Sequence, residues 1–270
     1  MSYLARFTDT ADEEGYVFVH DLRTKEEPRR QKPRSCAYIN DLYQVIEKGL
    51  DPAIVEEFLA DKRDGPGAAA ITEVIANRAI PERGSLTYRD LMRFISFAGV
   101  RSPAFRSIVT TSWEPHADSV KQQNLFVSEM LKNAKRILPY LTARHWRLWI
   151  SAKPFDEFIT SDQPLGMHNP GNVTFDPGDA LARREIIVFF ALSPSIAIEG
   201  RGLKGCAGTD QADSGIVAAI NGTIGSDAHR NVYSRSEGFA WANYGAKPIP
   251  EDRLEFVKAW RQRKGIVDHS

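Results

Sequence analysis

The sequence has no excess of charge of either sign, because its 35 basic residues balance 35 acidic ones. A balanced chain has no overall field that draws it to nucleic acid or to an anionic membrane, so any site for a polyanion must be local. Cysteine is also scarce, and the wide separation of Cys36 and Cys206 predicts neither a disulfide framework nor a zinc module. We expect two free thiols in a reducing compartment.

Long apolar runs are absent as well. The longest covers residues 186–192, which suits a buried strand and is far too short to span a membrane. After Met1 no basic segment leads into a hydrophobic stretch, so a secretory signal is not predicted. These absences lead us to expect a soluble, cytoplasmic protein with no membrane partner.

The composition that remains is that of an ordinary folded protein, with 42% hydrophobic and 26% charged residues. We find no repeat and no linker, and predict a single domain over 1–270. It divides into an N-terminal hairpin (16–40), a helical region (41–141) and a mixed α/β region (142–270). The predicted class is α+β, with a mainly helical first half packed on a small mixed or antiparallel sheet formed largely by the second half.

The hairpin is predicted from two segments rich in β-branched and aromatic residues. Residues 16–20 form the first strand, and residues 34–39 are expected to return as its partner. The connection 23–34 contains two prolines and charges of both signs, which favours a solvated loop over a nucleic-acid patch.

The period of the apolar residues then changes from helical to extended along the chain. Helices are predicted from Asp51, over 68–79, from Thr87 to a break at Arg101-Ser102-Pro103, after Pro103, and over 115–140 with Pro139 near its close. Strands are predicted over 145–150, 155–160, 186–192, 196–198 and 231–233, and further helices over 212–224 and 251–263.

Several short motifs together resemble an uncharacterised, mainly bacterial family catalogued as domain of unknown function 4238. They are Tyr3-Leu4-Ala5-Arg6-Phe7, 16–21, Arg101-Ser102-Pro103 with Arg106, Thr160-Ser161-Asp162-Gln163-Pro164 after the Trp146 to Trp149 segment, Ala191-Leu192-Ser193-Pro194, Asn221, and 230–234. The resemblance spans nearly the whole chain. Members of that family usually open with a His-x-Val-Pro segment, and this sequence starts too late to contain it, so the role of that histidine is not carried over to any residue here.

The acidic turn that follows the predicted strand 155–160 is the first candidate for chemistry. Thr160 and Ser161 bring two hydroxyls and Asp162 a carboxylate into a turn fixed by Pro164, a position at which strands often carry function. Asp162 can bind a divalent metal or act as a general base oriented by the hydroxyls. The structural alternative is an Asx or ST turn, in which Asp162 satisfies the amides around Gln163 and Pro164.

Arg101 and Arg106 stand at the helix break and are candidates for binding substrate. Their guanidinium groups can clamp a phosphate or a carboxylate. They can equally form ion pairs that lock helices together, Arg101 with Asp162 among them, which would lower the pKa of that aspartate.

Asn221 and Arg230 complete the predicted cluster if the fold brings them to Asp162. One carboxylate, one amide and several guanidinium groups suit phosphodiester chemistry, in which fixed cations stabilise the charge on the phosphoryl oxygens. We therefore expect either a nuclease-like hydrolase acting on nucleic acid or a phosphorylated small molecule, or a non-catalytic anion-binding or regulatory domain. An inactive member of the family is the third alternative.

Overall fold

The computed structural model describes residues 3–9, 15–24, 26–36, 54–110, 119–168, 177–202 and 207–242. The helices are a 3₁₀ turn over Leu4–Phe7, α1 (Pro33–Cys36), α2 (Ile54–Leu59), α3 (Gly65–Asn77), α4 (Leu86–Val100), α5 (Pro103–Ile108), α6 (Ser119–Ala143), α7 (Pro177–Ala182) and α8 (Ser214–Asp227), and a π-helical turn, Ala60–Asp64, joins α2 to α3. None of the helices in these ranges is long and apolar enough to cross a bilayer. The predicted helix 251–263 and Cys206 lie outside the described residues.

The strands form two sheets. They are β1 (Val17–Asp21), β2 (Arg29–Gln31), β3 (His145–Ser151), β4 (Thr160–Ser161), β5 (Gly166–His168), β6 (Ile187–Ser193), β7 (Ile196–Arg201), β8 (Gly208–Ala212) and β9 (Asn231–Ser234). One sheet has the order β2-β1-β9-β4 and the other β5-β6-β7-β3-β8. All neighbours are antiparallel except β3 and β8, which are parallel. The α+β class is thus confirmed, with two sheets in place of one.

Helix α4 lies at the centre of the helical half. Its first turn is capped by Ser85, whose side chain accepts a hydrogen bond from the Tyr88 amide at 3.1 Å. The predicted apolar stripe is buried, with Leu91 and Ile95 closed to solvent, and it packs between α3 and α6. The helix ends at Val100, where the sequence predicts the break before Pro103.

Strand β6 separates two hydrophobic cores. Val188 and Phe190 point into the core shared with α3, α4 and α6, whereas Phe189 and Ala191 point into the core shared with α8 and the four-stranded sheet. Successive side chains of a strand point to opposite faces, so a strand with helices on one side and a second core on the other must be apolar throughout. This arrangement explains the uninterrupted apolar run at 186–192.

The predicted hairpin has a different second strand from the one expected. Strand β1 pairs with β2, at Arg29–Gln31, whereas residues 34–36 of the predicted partner lie in α1 and residues 37–39 lie outside the described residues. Pro33 suits the first turn of a helix because it has no amide hydrogen to donate. β2 is an edge strand with two exposed arginines, and edge strands of this kind carry charge without an apolar alternation that a sequence pattern can detect.

Two other predictions need correction. Of the predicted strand 155–160 only Thr160 pairs in the sheet, in β4, because the preceding residues are bonded elsewhere, as in the hydrogen bond from the Phe158 amide to the Pro194 carbonyl at 2.8 Å. Pro139 does not close α6, which continues to Ala143 with the proline on its exposed face. The short strands β5 and β8 were not predicted.

The close approach of α8 to Trp241 gives a test of the packing. A Cβ atom on Gly225 would lie 1.9 Å from the indole ring. We expect Gly225→Ala to lower the free energy of unfolding by about 1–3 kcal/mol, because the ring must move within a full core. Chemical denaturation measures the change. Gly215→Ala in the exposed first turn of the same helix is the matched control, and equal stability of the two variants would contradict this packing.

Candidate anion-binding site

The carboxylate of Asp162 is held by the backbone at the start of β9. Its Oδ1 accepts a hydrogen bond from the His229 amide at 2.7 Å, and its Oδ2 accepts from the amides of Arg230 and Asn231 at 2.9 and 2.8 Å. Burial raises the pKa of this carboxyl, and the three amide bonds act in the opposite direction. The geometry favours the structural alternative, although the amides belong to residues 229–231 and not to Gln163 or its neighbour.

The two hydroxyls next to Asp162 are also engaged. Thr160 Oγ1 lies 2.8 Å from the hydroxyl of Tyr3, which in turn donates to the carbonyl of Ala191 at 2.6 Å. Ser161 Oγ donates to the Gln163 carbonyl at 2.7 Å and accepts from the Gln163 amide at 3.1 Å, which is an ST turn. Neither hydroxyl is directed at the carboxylate that it was expected to orient.

The predicted arginines bind other partners. Arg101 Nη1 lies 2.7 and 2.9 Å from the two carboxylate oxygens of Asp64, so the pairing of Arg101 with Asp162 considered from the sequence is not formed. The reason is topological, since Asp64 ends the π-helical turn beside α4 whereas Asp162 follows β4 of the four-stranded sheet. Arg106 donates to the side chain of Gln123 at 3.0 Å.

Arg230 comes to Asp162 through its backbone only. Its guanidinium donates to Asp21 Oδ2 from Nε at 2.8 Å and from Nη2 at 2.5 Å. Hydrogen bonds from that guanidinium, together with other local donors, hold the pKa of Asp21 below its usual value even though burial acts to raise it. This ion pair fastens the end of β1 to the start of β9.

Asn221 is buried in α8 and bonds to the segment that leads into the acidic turn. Its Oδ1 accepts from the Ile159 amide at 3.0 Å, and its Nδ2 donates to the carbonyls of Glu157 and Ala240 at 2.8 and 2.9 Å. The fold therefore brings Asp162, Asn221 and the backbone of Arg230 to one region, where each completes backbone hydrogen bonds. Their catalytic and binding roles stay predictions.

A serine and a histidine that the sequence did not single out lie in hydrogen-bond contact. His20 Nε2 is 2.7 Å from Ser234 Oγ, but the serine donates its proton to the Ser236 carbonyl at 2.6 Å, and both side chains are closed to solvent. A serine nucleophile must give its proton to the base and be reached by substrate. This pair does neither.

The part of the chain that the structure describes holds no group of three or more His, Cys, Asp or Glu side chains placed to bind a metal ion. Both carboxylate oxygens of Asp162, the residue considered for that role, accept hydrogen bonds from backbone amides.

Comparison with known proteins gives a family without a named activity. Residues 1–238 match a family described as a protein of unknown function, DUF4238. The chain belongs to this family. No curated protein matches it, and neither does any solved structure. The resemblance inferred from short motifs is thus confirmed. The family description names no activity, so only the geometry of this DUF4238 member indicates a site.

Two segments with family motifs meet beside a cavity of about 400 Å³. Arg6, from the Tyr3 to Phe7 motif, lines the cavity. Asp64, which also lines it, is paired with Arg101 of the second motif. The rest of the wall consists of small side chains and one hydroxyl, from Ala60, Gly65, Ala68, Ala69 and Thr72. A π-helical turn forms part of this wall, and such turns occur frequently at functional sites.

Arg6 is a buried cation without a counter-charge among the described residues. It is only 8% exposed, and its Nη2 donates to the Ala68 carbonyl at 2.8 Å and to Thr72 Oγ1 at 2.9 Å. Within the described ranges its Nε has no hydrogen-bond partner. Burial lowers the pKa of the guanidinium. The sequence analysis did not predict Arg6 as a site residue. The feature that could have indicated it is a single arginine among the apolar residues of the Tyr3 to Phe7 motif.

Asp162 offers a test of its structural role. We expect Asp162→Ala to lower the free energy of unfolding by about 2–4 kcal/mol, because three amides lose a charged acceptor. Asp213→Ala is the control, since Asp213 caps α8 by accepting from the Ile216 amide at 2.9 Å and its loss costs about 1 kcal/mol. Urea denaturation measures both. A fully stable Asp162→Ala protein would restore the catalytic prediction.

Proposed function

We propose that this protein binds a small anionic ligand, without transforming it, in the cavity beside Arg6. The observation that carries the proposal is the buried Arg6 guanidinium, whose hydrogen bonds end on a carbonyl and a hydroxyl and not on a carboxylate. Burying a charge is costly unless it is paired. An anionic ligand would supply the missing partner.

The cavity suits a ligand with one carboxylate or phosphate group. Its volume of about 400 Å³ falls in the range of sites for small molecules. A guanidinium group recognises both kinds of anion through charge-assisted hydrogen bonds. The small side chains of Ala60, Gly65 and Ala68 leave space for the body of the ligand.

A phosphodiester hydrolase is supported less well. That reaction needs a carboxylate able to bind a metal or accept a proton, together with cations near the phosphoryl group. The Asp162 carboxylate is occupied by amides, and Arg101 and Arg230 are paired with Asp64 and Asp21. The hydrolase stays a sequence prediction, and the binding domain is the alternative that the contacts favour.

Replacement of Arg6 tests the proposal. We expect inorganic phosphate or a small carboxylate to raise the melting temperature of the parent by more than it raises that of Arg6→Met. Without ligand the variant should unfold within about 1 kcal/mol of the parent, because methionine fills the space without a buried charge. The Ala68 carbonyl also keeps its hydrogen bond from Thr72 Oγ1 at 2.9 Å.

The measurement is thermal unfolding at constant ionic strength with chloride as the reference anion. Arg89→Met, at an exposed position of α4, is the control and should keep the response of the parent. An equal response in Arg6→Met, or no response in the parent, would remove the basis of the proposal.

Asp64 gives an independent test, because it is the carboxylate in the wall of the cavity. We expect Asp64→Asn to tighten anion binding about fivefold, which corresponds to roughly 1 kcal/mol for one repulsive charge in a partly exposed site. The change also releases Arg101 from its ion pair. Calorimetric titration measures the affinity, and Asp90→Asn, whose pair with Arg93 lies within α4, is the control. Weaker binding in Asp64→Asn would contradict the assigned cavity.

A further inference from the structure

Arg144 is a second buried arginine, at the junction between α6 and β3. It is 3% exposed, and its guanidinium donates to the carbonyls of Ile186 at 2.5 Å, Leu181 at 3.0 Å and Arg183 at 3.2 Å. These bonds hold the connection between α7 and β6 against the end of α6. They explain the position of the side chain, but a neutral donor could make some of them.

The charge of Arg144 is left uncompensated by its surroundings. Among the residues that the structure describes it forms no ion pair, and its Nε has no hydrogen-bond partner. Burial lowers the pKa of Arg144 to about 10, so the group is still protonated at neutral pH. The backbone carbonyls that accept from its Nη atoms carry no net charge, and the region therefore stays positive.

Two cavities adjoin this guanidinium. The larger, which we call the Arg144 cleft, has a volume of about 550 Å³ and is lined by Tyr140, Arg144, His145, Arg183, Arg184 and Gly202 among others. The smaller, of about 360 Å³, shares Arg144 and His145 with it. No aspartate or glutamate occurs among the described residues that line either one.

The nearest carboxylate of the same connection does not neutralise the cleft. Glu185 lies 3.7 Å from Arg183, and both side chains are about half exposed. An exposed pair at that distance contributes little. Arg184 is also exposed, so two arginines at the surface accompany the buried one.

The negative end of α6 is screened from the cleft. The last carbonyls of a helix carry partial negative charge and would repel an anion. Here Trp146 Nε1 donates to the Leu141 carbonyl at 3.0 Å, and the Tyr88 hydroxyl donates to the Thr142 carbonyl at 2.9 Å. Arg83 donates to the carbonyls that follow, at 3.2 and 2.6 Å. Side chains thus cap the helix and add a further cation.

Tyr140 and Gly202 are two further residues that line the cleft. Tyr140 is 39% exposed and lines the cleft, so its side chain is accessible to a ligand there. Gly202 also lines the cleft, and a Cβ atom on it would lie 2.6 Å from the backbone of Arg184. Only glycine permits this approach, which keeps the arginine-bearing connection against the end of β7.

We propose that the Arg144 cleft binds a phosphate-bearing ligand with a planar ring, of the size of a mononucleotide. Arginines recognise phosphate through their planar array of donors, and an exposed tyrosine offers a stacking face. A volume of about 550 Å³ is within the range of pockets for such molecules. The site shares no residue with the Arg6 cavity and does not depend on the function proposed for it.

The test is calorimetric titration of the full chain with adenosine monophosphate, and with inorganic phosphate for comparison. We expect the nucleotide to bind more tightly than phosphate. Arg183→Ala and Arg184→Ala should each weaken nucleotide binding about tenfold, and Tyr140→Ala should bring the nucleotide close to the affinity of phosphate. These side chains are exposed, so the variants should fold as the parent does.

Two controls separate this site from others. Arg89→Ala, at an exposed position of α4, should bind the nucleotide as the parent does. Arg6→Met should also keep nucleotide binding, because Arg6 does not line the Arg144 cleft. Failure of the proposal for the Arg6 cavity would therefore not affect this one. Unchanged affinity in the double variant Arg183→Ala/Arg184→Ala, or no binding at millimolar nucleotide, would overturn the inference. Much tighter, salt-sensitive binding of a single-stranded oligonucleotide would overturn it as well, in favour of nucleic acid.

Discussion

Burial of β6 on both faces is the constraint on which the rest of the structure depends. Its alternate side chains enter two different cores, and its two edges are paired with β5 and β7. A strand fixed in this way leaves only one arrangement for its neighbours. The helical layer must cover one face, and α8 with the four-stranded sheet must cover the other. The Arg6 cavity is lined in part by α3 of that layer, and the Arg144 cleft in part by α6.

Four arginines of the described residues fall into two pairs that differ in what compensates their charge. Arg101 and Arg230 meet carboxylates, so both their hydrogens and their charge are satisfied. Arg6 and Arg144 donate from their Nη atoms to carbonyl and hydroxyl oxygens, which carry no compensating charge. The overall charge of zero conceals this difference. A buried polar group can have good hydrogen bonds and still leave a site electrostatically incomplete.

Local patterns in the sequence predicted the elements that depend on local chemistry. The apolar run at 186–192 predicted β6, and the stripe through Leu91 and Ile95 predicted α4 with its break before Pro103. The strands β2 and β8 escaped prediction because they lie at sheet edges and have exposed, polar side chains. Their pairing is set by neighbours distant in the chain, which no local period can reveal.

The candidate site was harder to predict than the fold, because its residues act through contacts across long stretches of chain. In the structural alternative Asp162 bonds amides close to itself, yet its three partners begin at His229. An ion pair with Asp162 was one of the alternatives for Arg101, and the carboxylate that Arg101 meets is contributed by the π-helical turn before α3. In both cases the motif contains the residue but does not indicate its partner.

Residues that stabilise the fold differ from the residues that line the two proposed binding sites. Tyr3, Asp162 and Asn221 each join segments that are far apart in sequence, so their loss acts first on the fold. The side chains with unsatisfied charge, Arg6 and Arg144, belong to different elements and face different cavities. Carbonyl and hydroxyl oxygens account for the hydrogen bonds of these two guanidinium groups but not for their charge, and an anionic ligand is the partner that would compensate it.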